Sequence, residues 1–214
     1  MKQTASNVEY SDFAEYDRHQ RGIERHVLAA FAGGLVVGLI GAFLGMLAPQ
    51  FVNDVYDPYA YLALSVAVGA TATGFGWALL TTFLAAASML VAAMGGSALQ
   101  GDLGFESVGG GAGALNVLVV LLVGLGLLAF VSRRRDLWGD LATGLIGGIL
   151  LSDVIDRATP GFIDSQAGFW PVPALVVTAA AVCALLALRR CVRSRLRAIA
   201  AAALVAGAFA FVIL

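Results

Sequence analysis

The sequence predicts an all-α integral membrane protein: a bundle of about seven transmembrane helices, N-terminus inside and C-terminus outside. Three observations carry that prediction. Of 214 residues, 60% are hydrophobic and only 13% are charged, against about 25% charged in a soluble domain. The apolar residues fall in long uncharged blocks, each near the ~20 residues that a helix needs to cross the hydrocarbon. Threading those blocks through a bilayer leaves all but one of the 13 basic residues on one side, as expected when Lys and Arg collect in cytoplasmic loops.

The elements follow in order. Residues 1–25 form a polar cytoplasmic segment. Its stretch "YSDFAEYDRHQRGIERH" reads as a helix capped by Ser11 and lying at the membrane surface, with Tyr10, Phe13 and Tyr16 near the headgroups. Asp12, His19 and His26 recur every seven residues there, but no metal site is expected. The first apolar run begins late and is long, so it is expected to stay as a span and not to be removed as a signal peptide. Residues 26–214 form the bundle, with spans near 26–48, 58–75, 77–99, 112–131, 137–152, 171–188 and 198–214.

The least secure boundary lies inside Pro58–Gly101, which carries no charge. "TATGFGW", residues 71–77, supplies the Gly- and Thr-rich turn that makes two spans of it. Two half-spans re-entering from outside would leave the other orientations unchanged. One single span would set Arg133–Arg135 and the Arg189–Arg197 cluster opposite the basic N-terminal segment. "PQFVNDVYD", residues 49–57, is a short polar break.

With this threading the inner face is basic. The outer face holds Arg157 against Asp54, Asp57, Asp102, Glu106, Asp153, Asp156 and Asp164. That acidity follows by default from excluding Arg from outer loops, or else forms a vestibule that concentrates cations.

Gly34, Gly38, Gly41 and Gly45 share one face of the first span. Such a face lets a neighbouring backbone approach closely, either within the bundle or in a homo-oligomer or membrane complex. Trp77, Trp138 and Trp170 lie near span ends, as interfacial belt residues do. Cys183 and Cys191 read as free thiols. Hydroxyls within spans, such as Thr81, Thr82, Ser88 and Thr143, are expected to bond backbone or bridge helices.

Four acids flank the fifth span. Asp136 and Asp140 occupy its first turn, where the helix dipole favours them by ~0.3–1 kcal/mol. Asp153 and Asp156 sit at the other end, against the dipole, and Asp153 precedes Arg157 by one helical turn. They form an exposed helix end with a local ion pair, or a site that binds a cation or shares a proton. Asn116, at the outer end of the fourth span, is the residue that would join Asp153 and Asp156 in cation binding. No span carries a charge near its centre, which argues against a voltage sensor or a central proton relay. "GDLGFESVGGGAGAL" follows no strand and is read as an outer linker, not a nucleotide loop.

The stretch "GGILLSDVIDR" with Asp164 eight residues beyond Asp156 faintly resembles the lipoprotein signal peptidases, aspartyl peptidases of bacterial membranes. In that family a glycine-rich helix ends in Asn and then Asp-Arg, with a catalytic Asp shortly after and a second catalytic Asp opening the next helix. Here Asp153 stands where the Asn is expected, and "PALVVTAA" has neither the next Asn nor the second Asp, whose place falls near Ala179. The resemblance thus implies, for residues 100–190 at most, a degenerate and inactive arrangement.

The expected function is a small transporter, channel or membrane-complex subunit of the cell membrane, with an acidic outer face. The alternatives are an outer-interface enzyme using Asp153, Asp156 and Asp164, or a structural protein without chemistry. The lipid bilayer is the expected partner; no cofactor, metal or nucleic acid is expected.

Overall fold

The computed structural model describes residues 4–99, 112–160, 162, 166, 168–189 and 191–213, with side chains from Gln20 onward. Among these residues the chain is helical throughout, with no strand: α1 Thr4–Leu47, α2 Gln50–Tyr56, α3 Tyr59–Thr71, α4 Phe75–Leu99, α5 Ala112–Ser132, α6 Leu137–Ala158, α7 Val172–Leu188 and α8 Val192–Ile213. Five of them contain stretches long and apolar enough to cross a membrane: Gln20–Leu47, Phe75–Leu99, Gly113–Ser132, Leu137–Ala158 and Val192–Val212. Helices are the expected solution, because lipid offers no partner for an unpaired backbone N–H or C=O. Large apolar side chains such as Leu28, Val91, Val120 and Leu204 are exposed on the surface, as lipid-facing residues are.

Several boundaries differ from the sequence expectation, each for a local reason. The polar break at 49–57 is largely helical: α2 starts behind Pro49, which can hold the cap position without an N–H of its own to satisfy. α1 runs unbroken from the N-terminal segment into the first span. α3 stops at Thr71, and residues 72–74 connect it to α4. α6 continues six residues past Ser152, because its polar end finds partners on α3 and within its own last turns. α8 begins at Val192, six residues early. There Arg195 turns back to donate to the Arg189 carbonyl at 2.7 Å and the Leu186 carbonyl at 3.2 Å, satisfying the open end of α7.

The glycines set the direction of packing. Gly34 meets Ala85, Gly38 meets Met89 and Ala92, and Gly96 meets Ala42, so α1 and α4 run parallel. A β-carbon on Gly38 would overlap the Met89 carbonyl; the two backbones touch because that atom is missing. Gly69 against Gly126, and Arg133 donating to the Ala72 carbonyl, make α3 and α5 parallel as well. Gly144 meets Ala198 and Ala201 while Gly148 meets Ala202 and Val205, which aligns α6 with α8. α7 runs antiparallel to α6, with Gly147 on Leu185 and Gly139 by Arg189. Gly34, Gly38 and Gly41 are therefore occupied within the chain, and Gly45 alone of the four is exposed.

The central core gathers Tyr61, Leu62, Ala86, Met89, Leu122, Leu125, Ala129 and Ile146, where α3, α4, α5 and α6 meet. Buried hydroxyls close on their own helices. Thr82, Ser88, Ser132 and Ser152 each donate to a carbonyl three or four residues back, at 2.6–3.0 Å. Trp77, Trp138 and Trp170 are all exposed near helix ends.

Candidate functional site at the two ends of α6

At the C-terminal end of α6 the acids do not simply emerge into water. Asp153 accepts a hydrogen bond from the Tyr59 hydroxyl at the start of α3, and Arg157 Nε stands 3.2–3.3 Å from both of its oxygens. The guanidinium of Arg157 lies 6.0 Å from the centroids of both the Tyr59 and the Phe169 ring, within cation–π range. The chain after α6 is tied back to keep Phe169 there: the Gln166 N–H donates to the Arg157 carbonyl, and the Phe169 N–H to that of Gln166, both at 3.0 Å. Phe169 is fully buried and packs with Val154, Ala174 and Val177. The result is a latch that joins α3, α6 and the segment entering α7.

The other candidates take separate positions. Asp156 is buried on α6. Asn116 is exposed on α5, and the side chain that reaches Asp153 is instead Tyr59. Asp164, Asp102 and Glu106 lie outside the described residues. Ala179, where the peptidase resemblance would need its second carboxylate, is exposed on α7. Among the described residues no group of three His, Cys, Asp or Glu gathers as a metal site. Asp153 is thus engaged by both a guanidinium and a phenol.

At the N-terminal end, Asp136 caps α6, accepting from the Gly139 N–H at 3.0 Å and pairing with Arg134 at 2.9 Å. That backbone bond, followed by the Arg134 charge, holds its carboxyl below the usual range. This is the dipole-favoured role expected of both first-turn acids. Asp140 does something else. It is only 3% exposed, and it faces Arg189, 5% exposed, whose Nε stands 3.3 Å from Asp140 Oδ1. Arg189 also donates to Thr143 Oγ1 at 3.0 Å and to the Arg134 carbonyl at 2.8 Å. Arg197 on α8 approaches the second Asp140 oxygen at 3.6 Å. A β-carbon on Gly139 would strike the Arg134 carbonyl and Arg189 Nη2, so glycine is what lets Arg189 enter. This buried centre joins α6, α7, α8 and the α5–α6 link. Sequence reasoning missed it, since Arg189 read as one more cytoplasmic arginine. A pairing signal existed only in Thr143 and Asp140, one turn apart on a helix face otherwise made of Gly, Ala and Ile.

Between the two ends lies a recess of about 410 Å³. α3 and α7 form its sides and Leu125, Ile146 and Leu150 its floor. Tyr59 and Val55 stand at one end, Ala187 and Leu188 at the other. Its wall is apolar apart from Tyr59. It exists because the alanine-rich face of α7 (Ala180, Ala181, Ala184) leaves the space that larger side chains would fill.

Comparison with protein-family models, with curated proteins and with solved structures finds no match to this chain. The apolar helices nonetheless establish an α-helical, membrane-embedded protein.

Proposed function

We propose that this chain is a seven-crossing protein of the cell membrane, N-terminus cytoplasmic, of the carrier or membrane-complex-subunit class. In this reading it takes an apolar or amphipathic ligand sideways from the bilayer into the recess between α3 and α7. The observation that carries the reading is that recess, apolar along its length and headed by the Tyr59–Asp153–Arg157 latch.

Two facts support the crossing count. α1 and α4 run parallel, so the chain between Leu47 and Phe75 must return across the bundle. α3, at 13 residues, spans only about 20 Å of a ~30 Å core, and α2 stands on the outer side of that return. The basic groups agree with the orientation: Arg133 reaches the inner end of α3, and Arg189 reaches the Arg134 carbonyl. A continuous polar path is not needed for an apolar ligand, and the outer acids act as a latch in place of a catalytic pair. The outer-interface enzyme reading is the weaker one because Asp153 is held in an ion pair.

The test is photolabelling in proteoliposomes with a diazirine-bearing fatty acid. Labelled peptides should concentrate on α3 and α7, and Ala184→Trp should remove that labelling while the protein stays monodisperse and helical. Labelling spread evenly over all lipid-facing helices, and unchanged by Ala184→Trp, would refute the reading.

A further inference from the structure

A second recess, about 790 Å³, lies between α5, α6 and α8. It is separate from the one discussed above. Leu128, Leu141, Leu145 and Leu204 line its apolar part, and Ala200 and Ala201 set the α8 wall back. Its inner end is different in kind: Trp138, Asp140 and Arg197 line it there. Arg197 is half exposed, with 50% of its side chain free. Its nearest acid, Asp140, already faces the buried Arg189 at 3.3 Å. Two guanidinium groups thus share one carboxylate, and the inner mouth carries a net positive charge. Asp140 Oδ1 has the 3.3 Å approach of Arg189 Nε, and Arg189 Nη2 is buried beside it without a hydrogen-bond partner among the described residues.

The dimensions select the occupant. From Arg197 to Val205 the α8 wall rises about 12 Å, close to the ~15 Å half-thickness of the hydrocarbon core. Trp138, 66% exposed at the same level as the charges, marks the boundary of headgroup and chain. A ligand that fits must be anionic at one end and hydrocarbon for one leaflet's depth. We propose that this recess is a binding site for an anionic phospholipid of the cytoplasmic leaflet. Arg197 meets the headgroup phosphate, the Asp140–Arg189 pair backs it electrostatically, and one acyl chain lies along Leu141, Leu145 and Leu204. The positive mouth selects the headgroup charge, and the set-back α8 wall admits the chain.

The experiment reconstitutes the full chain in equimolar phosphatidylglycerol and phosphatidylcholine, extracts it gently and weighs the retained lipid by native mass spectrometry. Wild type should retain phosphatidylglycerol over phosphatidylcholine at a ratio of about five to one, the factor that one Arg at an anionic headgroup supplies. Arg197→Gln should return the ratio to bulk. Ala200→Phe, which fills the recess from an exposed position, should reduce retention of both lipids. Arg157→Gln, at the other end of α6, should leave the enrichment intact. Absence of enrichment in wild type overturns the proposal, as does enrichment that survives both Arg197→Gln and Ala200→Phe. If inorganic phosphate displaces the lipid signal while Ala200→Phe changes nothing, the site takes a free anion and the lipid assignment fails. Failure here leaves the α3–α7 recess untouched, since its labelling test reads different helices.

Discussion

The two ends of α6 each hold an aspartate against an arginine, yet the pairs are opposites in origin and setting. At its C-terminal end, Asp153 and Arg157 are neighbours one turn apart, 31% and 17% exposed at their side chains. At its N-terminal end, Asp140 on α6 meets Arg189 from the end of α7, and the two are 4% and 6% exposed. A local, partly hydrated pair gains little, about 0–1 kcal/mol, because water competes for both charges. A buried pair is different: its desolvation is already incurred by the fold, so removing one partner strands the other. The Asp153–Arg157 pair therefore adjusts how α3 meets α6, whereas the Asp140–Arg189 pair decides whether α7 and α8 can sit against α6 at all.

The comparison presumes that the ends face opposite sides of the membrane, and the largest effect tests that first. Gly168→Cys, at an exposed position after α6 with open space around it, should react with a membrane-impermeant maleimide on intact cells. The exposed Cys191, next to the inner cluster, should react only after the membrane is opened. Equal labelling of both on intact cells would erase the distinction between inner and outer.

The next effect separates the pairs energetically. Asp140→Leu or Arg189→Leu alone should cost about 3–5 kcal/mol, seen as lost monodisperse protein or a large fall in Tm in detergent. The double variant should recover much of that loss, since two matched apolar groups leave no stranded charge. If the single variants behaved like wild type, the buried centre would be no more than a surface pair.

The smallest effect belongs to the latch. Tyr59→Phe or Asp153→Asn should lower stability by only about 1 kcal/mol. Combining them should cost less than the sum, since both break the same hydrogen bond. A penalty as large as the inner pair's would show that the latch, too, is a buried centre.

Much of the fold was legible before the structure. Charge-free blocks mark the long helices, and the structure ends α3 at Thr71 and starts α4 at Phe75, within the Gly- and Thr-rich stretch 71–77 read as a turn. The belt tryptophans and self-bonded hydroxyls also followed from residue type. Within the site, the Asp153–Arg157 pair was visible because its spacing is a helix repeat. Tyr59 was not, since nothing in the sequence links the start of α3 to the end of α6. Asp140 was misjudged for a related reason. Beside Asp136 in the same first turn, it invites the same dipole argument, and only the rotation of α6 separates them. Asp136 points along the axis to cap N–H groups, while Asp140 turns inward to meet Arg189.

The amino-acid order alone determined that this chain belongs in a bilayer and roughly where each helix lies. Hydrophobic length and backbone hydrogen bonding are properties of single segments, and a single segment carries them wherever it is placed. Which helices lie parallel, where the two recesses open and which aspartate is stranded without its arginine were decided only by assembly. Those facts depend on which small face of one helix meets which face of another, and the contacts that settle it join residues far apart in the chain.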